Sequence, residues 1–280
     1  MSTSYTLHNS IKIPSIGFGT WQTPDGEIAK QAVVNAIESG YRHIDTAAIY
    51  RNELGVGEGI KESGIKRNEI FITTKVWNKA RGYDLTMSSF ERSIEKLDSD
   101  YIDLLLIHWP ANAKQFNNWA TINASTWKAL ETLYEQGALK AIGVSNFLPH
   151  HLKSLFVKAN IKPMVNQIEY HPGFMQQDVV SFCNAENILI EAWSPLGTGK
   201  LLQNETLKTI AKFYNVSVAQ LCIKWALQNN VLPLPKSVTP SRISENINVN
   251  QFTISDDDIS TINKLPFIGG SGLNPDTVDF

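Results

Sequence analysis

IDLLLIHWP, residues 102–110, is a strongly apolar run that ends on a histidine and a tryptophan. Such a run reads as a buried strand, and Pro110, which has no amide hydrogen to give a ladder, ends the pairing. Buried strands rarely close on a histidine, so the position of His108 asks for a reason. Working outward, the chain repeats the pattern. SIGFGT (15–20), HIDTA (43–47), FITTKV (71–76), AIGVSN (141–146), MVNQIEY (164–170), LIEAWSPL (189–196) and LPLPKS (232–237) are further strand candidates. Between them run helix-like segments such as EIAKQAVVNAIESG, YDLTMSSFERSIEKL and DVVSFCNAENI, with apolar residues at helical spacing. Eight strands alternating with helices predict a parallel sheet closed into a (β/α)8 TIM barrel, one domain over residues 1–280. An open doubly wound sheet is the structural rival. Two segments fall outside the repeat: YTLHNSIKIP (5–14) reads as an N-terminal β-hairpin cap, and ISDDDISTINKL (254–265) as an extra C-terminal helix.

The composition fits this architecture. The chain has 280 residues, 42% hydrophobic and 19% charged, which is enough material for one large core. A formal charge of −2 with no basic block gives no electrostatic footprint for nucleic acid. No apolar run approaches the ~18 residues of a membrane span, and MSTSYTLHNS lacks the charged and apolar regions of a signal peptide. Cys183 and Cys222, far apart and in helix-like segments, read as packing residues in a reducing compartment. The expectation is a cytoplasmic, monomeric protein acting on a small molecule.

Polar residues gather at one end of the strands. Asp45, Lys75, His108, Asn146, Gln167, Ser194 and Lys236 each lie at or near the C-terminal end of an apolar run. In a barrel those ends share one rim, where such enzymes place their chemistry. With neighbouring strands ~4.8 Å apart, Asp45, Lys75 and His108, on three consecutive strands, can meet around one point. Tyr50 follows Asp45 by five residues. A phenol with a pKa of ~10 is a weak donor at neutral pH. An ammonium ~4 Å away at an effective dielectric of ~20 contributes roughly 4 kcal/mol, which predicts a Tyr50 pKa lowered by Lys75. Asp45 would keep that ammonium charged and aimed. Such a group suits protonation of a developing alkoxide; the plain alternative is a buried ion pair with incidental Tyr and His.

Hydride chemistry needs a cofactor, because no side chain supplies a hydride. GVGEG (55–59) fails as a dinucleotide fingerprint: it falls in a helix-like segment and lacks the third glycine at the required spacing. KSVTPSR (236–242) offers another anion site, with Thr239 as N-cap, Pro240 as first helical residue, and the charges of Lys236 and Arg242 alongside.

Three stretches carry a resemblance. GYRHIDTA (40–47) with Glu53 and Gly57 downstream, MVNQIEYHP (164–172) and LPKSVTPSRISEN (234–246) resemble the signature regions of the aldo-keto reductase family. The likeness runs from IPSIGFGTW (13–21) to the tail NPDTVDF (274–280). The resemblance implies a catalytic set of Asp45, Tyr50, Lys75 and His108, with Tyr50 as general acid, Lys75 and Asp45 tuning it, and His108 orienting the substrate carbonyl. It implies NADP(H) as cofactor. Lys236, Ser237, Val238 and Arg242 would hold the adenosine 2′-phosphate, and Glu245 and Asn246 the adenine. Ser145, Asn146 and Gln167 would bind the carboxamide, with Thr20 and Trp21 also near the cofactor. Ser194, Leu196 and Lys200 would follow the pyrophosphate. Trp193 stands where the family mostly has a tyrosine stacked on the nicotinamide, a departure that a larger ring can accommodate. Trp21, Trp77 and Trp109 would wall the substrate pocket with His108. The connection after the seventh strand is short, which predicts an open cofactor cleft.

The implied activity is NADPH-dependent reduction of an aldehyde or ketone, including α-dicarbonyls or keto-sugars, of the bacterial and yeast type. Two rivals remain: a non-catalytic NADP(H)-sensing regulatory barrel and a metal-dependent barrel hydrolase. The second needs clustered His and acid ligands, yet only His43, His108 and His171 lie near strand ends, with His43 on the opposite rim.

Overall fold

The computed structural model describes residues 3–280; Met1 and Ser2, at the head of the N-terminal stretch read above, lie outside them. An antiparallel hairpin comes first, β1 (Ser4–Thr6) paired with β2 (Lys12–Pro14). Ile13 is completely buried, and Asn9 Nδ2 donates to Lys140 O at 2.9 Å, which ties the hairpin to the N-terminal end of a barrel strand.

Eight strands then pair in chain order, each parallel to the next. They are β3 (Phe18–Gly19), β4 (His43–Asp45), β5 (Phe71–Val76), β6 (Ile102–Ile107), β7 (Leu139–Ser145), β8 (Val165–Glu169), β9 (Leu189–Trp193) and β10 (Leu232–Pro233). Backbone bonds from Gly17 N to Pro233 O (3.1 Å) and Gly19 N to Pro235 O (3.0 Å) join the first strand to the last and close the ring. The seam strands are shorter than the runs 15–20 and 232–237 suggest. Pro233 and Pro235 offer carbonyls but no N–H, so the ladder there runs in one direction only.

Helices α1 (Glu27–Glu38), α2 (Glu53–Glu62), α3 (Tyr83–Leu97), α4 (Trp119–Glu135), α5 (Pro149–Phe156) and α6 (Gln177–Ala185) follow β3 to β8 in turn. After β9 come a 3-10 segment (Gly197–Gln203), α7 (Glu205–Phe213) and α8 (Val218–Gln228); α9 (Pro240–Ile247) follows β10, and α10 (Asp256–Asn263) is the extra helix expected near the C-terminus. α7 is a third addition that the strand–helix alternation does not announce. Asn204 caps it by accepting from Leu207 N at 3.0 Å, and Leu207, Ile210 and Ala211 form its buried stripe. No helix among the described residues is long and apolar enough to cross a membrane.

The glycines of GVGEG have a packing reason. They lie in α2, and a Cβ on Gly57 would come within 2.8 Å of Leu97 O, one on Gly59 within 2.6 Å of Lys30 O. The motif lets α2 wedge between α1 and α3.

His43, at the start of β4, is fully buried, with Nε2 2.9 Å from Thr73 Oγ1 and Nδ1 unpartnered. Loss of solvent, aided by the Lys75 charge, pulls its pKa down to about 3. The folded state holds the ring neutral while the unfolded chain takes up a proton below pH ~6.5. This part of the stability is therefore complete above pH ~6.5 and falls as the pH drops toward 3, by about 1.4 kcal/mol per pH unit. His43→Gln should flatten the decline by about that slope in urea unfolding between pH ~6 and pH ~4. Parallel slopes for variant and wild type would show that the ring does not titrate on unfolding.

Candidate active site

The β4–β5 register sets Asp45 opposite Thr73, so Lys75 emerges one step further along the same face. Lys75 Nζ donates to Asp45 Oδ1 (2.7 Å), Asp45 Oδ2 (2.8 Å) and Thr46 O (2.9 Å). The ammonium is buried but fully hydrogen-bonded, which is the condition for keeping a charge out of water. Thr20 secures the acid from behind, donating through N (3.0 Å) and Oγ1 (2.9 Å) to Asp45 O.

Tyr50 closes a single 3-10 turn (Ala48–Tyr50), after which Arg51 turns back with φ 58°. Its ring lies 5.1 Å from Lys75 Nζ and edge-on to His108, with centroids 5.7 Å apart. The four residues implied as a catalytic set thus form one chain of neighbours, Asp45 to Lys75 to Tyr50 to His108, at one rim. Burial raises the Tyr50 phenol above its ordinary value; Lys75 pulls it back, Asp45 adds to the rise, and the net direction is upward. This corrects the expectation of a lowered phenol: desolvation outweighs the ammonium, and Tyr50 stays protonated at neutral pH. Burial opposes the charge on Lys75, but the surrounding acids, Asp45 foremost, outweigh it and hold the ammonium above its usual range. Burial and the Lys75 charge hold His108 well below the usual histidine range, so its ring is neutral; Nδ1 is buried without a partner among the described residues.

Gln167 reaches the same group from β8. Its Nε2 donates to Asp45 Oδ2 (2.9 Å) and to Glu191 Oε2 (2.8 Å). Ser145 Oγ donates to Gln167 O (2.7 Å). Asn146, in the left-handed region at φ 63°, gives its amide hydrogens to His108 O (3.0 Å) and Ser145 Oγ (3.1 Å). Its Oδ1 accepts from Trp193 Nε1 at 2.9 Å. The departure at position 193 is therefore built into the site: a tyrosine has no indole N–H to reach Asn146. Of the seven strand-end residues, Asp45, Lys75, Gln167, Asn146 and His108 form one connected group. Ser194 follows Trp193 at φ 50°, and Lys236 stands apart at the other end of the rim.

The rim beside His108 is aromatic. Trp77 meets His108 edge-on (5.2 Å) and stacks on Phe280 (5.6 Å, 19°), while Trp109 meets Phe280 edge-on (5.5 Å). Trp21, 45% exposed, takes no part in this chain of rings among the described residues. Phe280 escaped the sequence reading, since nothing local shows where the tail runs. Asn112 Nδ2 holds the tail by donating to Pro275 O (2.9 Å) and Val278 O (3.0 Å), and Asn78 Nδ2 donates to Phe280 O (2.9 Å). His150 and His151 clasp it through Asp276 Oδ1, at 2.9 and 3.3 Å. This is the metal-type trio among the described residues. Leu148 N–H donates to His151 Nδ1 (3.2 Å), so the ring's own proton lies on Nε2, which then has no lone pair for an ion.

At the far end, Thr239 occupies the N-cap of α9 and Pro240 its first turn, but the Thr239 side chain makes no capping bond; Ser237 Oγ accepts from Thr239 N instead (3.1 Å). Lys236, half-buried, and Arg242, exposed, have no carboxylate partner among the described residues. Val238 is exposed, Glu245 half-buried and Asn246 buried along the same helix. Leu196 leads into the short connection, where Lys200 Nζ donates to Gly270 O (3.2 Å) of the tail.

The sequence model of the Aldo/keto reductase family matches residues 15–266. The chain is 50% identical over 274 residues to the 9,11-endoperoxide prostaglandin H2 reductase of Trypanosoma cruzi (strain CL Brener), with 97% of this chain and 94% of that one covered. It is 48% identical over 274 residues to the glyoxal reductase of Bacillus subtilis (strain 168), with 98% and 96% covered. Among solved structures it is similar to the Bombyx mori aldo-keto reductase in complex with NADP, at TM-score 0.87 and 32% identity, over 96% of this chain and 94% of that one. With the family match running through all eight barrel strands and relatives aligned nearly end to end, the chain belongs to the aldo/keto reductase family, an oxidoreductase family.

Proposed function

We propose that this chain is an NADPH-dependent carbonyl reductase with Tyr50 as its general acid. One observation carries the reading: the Tyr50 phenol, the His108 imidazole and the fully bonded Lys75 ammonium converge at one rim of the barrel, where burial favours the protonated phenol and the neutral ring. Tyr50 gives its proton to the substrate carbonyl oxygen, and His108, neutral, directs an N–H at the same oxygen. Lys75 stabilises the phenolate left behind, and Asp45 fixes the ammonium.

The residues fit the cofactor. Lys236 and Arg242 are two cations without acidic partners among the described residues, beside the first turn of α9, and suited to a phosphate dianion. Ser237, Val238, Glu245 and Asn246 lie along the same segment and would hold the adenosine. Gln167 and Ser145 would hold the carboxamide. NADPH, when bound, supplies the hydride. The apolar walls of Trp77, Trp109 and Phe280 suit small aldehydes and α-dicarbonyls, in keeping with the similarity to a glyoxal reductase.

A steady-state screen of aldehydes, α-dicarbonyls and keto-sugars, followed by NADPH absorbance, tests the proposal. Turnover of at least one class is expected; NADPH binding with no turnover anywhere would return the regulatory-barrel reading. Arg242→Ala should weaken NADPH about 10- to 100-fold and NADH little, because only NADPH carries a 2′-phosphate for a charge-assisted bond. Equal losses in a fluorescence titration would place Arg242 away from that phosphate.

A further inference from the structure

β4 is the second strand of the barrel and β8 the sixth, so the bond from Gln167 Nε2 to Asp45 Oδ2 crosses the interior from the opposite wall. On β9 the register sets Glu191 directly beside Gln167. Glu191 is completely buried; its Oε2 accepts the second bond from Gln167 Nε2, and its Oε1 has no partner among the described residues. An acid buried in a strand otherwise made of Leu189, Ile190, Ala192 and Trp193 has no packing reason, since an apolar side chain would avoid burying an unpaired oxygen.

The donor count gives it a reason. A primary amide nitrogen carries two hydrogens. Asp45 takes one and Glu191 the other, so the amide oxygen is the only atom Gln167 has left to present to a ligand. The flipped amide would bring its oxygen against the Asp45 carboxylate, acceptor to acceptor, and is excluded.

We propose that Glu191 is a positioning residue: it draws the second amide hydrogen of Gln167 inward, so that the amide oxygen alone faces the cofactor's carboxamide and recognises its NH2 group. The inference rests on the placement of the carboxamide at Gln167 proposed above. Burial, with the nearby Asp45 charge, pushes the Glu191 carboxyl up to about 8. The carboxyl is therefore largely protonated at neutral pH.

The test compares NADP+ with its 3-acetylpyridine analogue, in which a methyl replaces the carboxamide NH2. Binding to the full chain is read by tryptophan fluorescence without substrate, so turnover plays no part. Wild type should prefer NADP+ by about 3- to 10-fold, the worth of one neutral hydrogen bond. Glu191→Leu should reduce that preference below about 2-fold, because the amide, then held by Asp45 alone, can tilt about its Cγ–Cδ bond, keep one N–H on Asp45 and offer the freed one to the ligand's carbonyl, which both molecules share. Glu191→Val, smaller and equally unable to accept, serves the same purpose should the leucine not fold. Glu191→Gln, which keeps an oxygen for Gln167, should retain the preference. The ratio of two affinities does not depend on the folded fraction, so a merely structural role would leave it unmoved.

Gln167→Leu separates the two assignments. If it abolishes the preference while Glu191→Leu or Glu191→Val retains the wild-type ratio, the positioning role is overturned and the carboxamide placement stands. If Gln167→Leu leaves the ratio unchanged, the carboxamide placement fails, and this inference fails with it. An absent preference in wild type would also overturn the inference.

Discussion

Tyr50→Phe should lower kcat/KM for carbonyl reduction by about 10³-fold, within the 10²–10⁴ that positioned general acid catalysis contributes. The substitution removes one oxygen and little else. A phenylalanine ring keeps the edge-on contact with His108 at 5.7 Å and still faces Lys75 Nζ at 5.1 Å. The Asp45–Lys75 bonds do not involve the phenol, so the fold and the cofactor contacts should hold. NADPH affinity, measured by fluorescence titration, is therefore expected to change less than about 2-fold. The upward direction of the Tyr50 pKa matters here: the phenol loses its proton only far on the alkaline side, so a comparison at neutral pH reads the proton donor itself. Retention of more than about a tenth of the activity would sink the assignment and move the proton to another donor.

Much of this site is visible in the sequence because barrels collect strand ends on one rim. Asp45, Lys75, His108, Asn146 and Gln167 are polar residues closing apolar runs, and strand periodicity alone places them together. What the sequence could not show depends on distance across the barrel or along the tail. That Gln167 meets Asp45 follows from strands two and six facing each other across the interior, which no local pattern expresses. Glu191 did leave a signal, an acid inside the apolar run LIEAW, but its meaning needed the register that sets it beside Gln167. Phe280 left none, because Asn112, Asn78 and Asp276 steer the tail through long-range bonds. The direction of the Tyr50 pKa is hidden from the sequence for a related reason. Charges can be counted from sequence, whereas the extent of desolvation that opposes them cannot.

Trp193 shows how a departure from a family pattern can be absorbed. Its indole N–H ends a chain that runs from the His108 carbonyl through the Asn146 amide. The larger ring is thereby fixed relative to the imidazole proposed to orient the substrate. The residue that would stack on the nicotinamide and the one proposed to orient the carbonyl are thus held in one hydrogen-bonded frame, which a tyrosine, with no indole N–H, would leave open.

Lys75→Met should damage catalysis and folding together, and the two effects can be separated. Methionine fills nearly the same space, so packing changes little. The loss is electrostatic. Asp45, 4% exposed, keeps only the Gln167 Nε2 bond on its carboxylate among the described residues, and a buried charge stranded in this way costs about 3–5 kcal/mol. Urea unfolding should show a loss of that size. The phenolate formed as Tyr50 gives up its proton also loses its counter-charge, so kcat/KM per folded molecule should fall by about 10²–10³-fold. Asp45→Asn added to Lys75→Met removes the stranded charge. The double variant should recover at least half of the lost stability, because residues in direct contact are not additive. It should recover none of the activity, since the ammonium is still absent. A double variant that regained turnover would mean that Lys75 served only to neutralise Asp45. A single variant that was unstable yet turned over normally per folded molecule would make the pair a structural ion pair and nothing more.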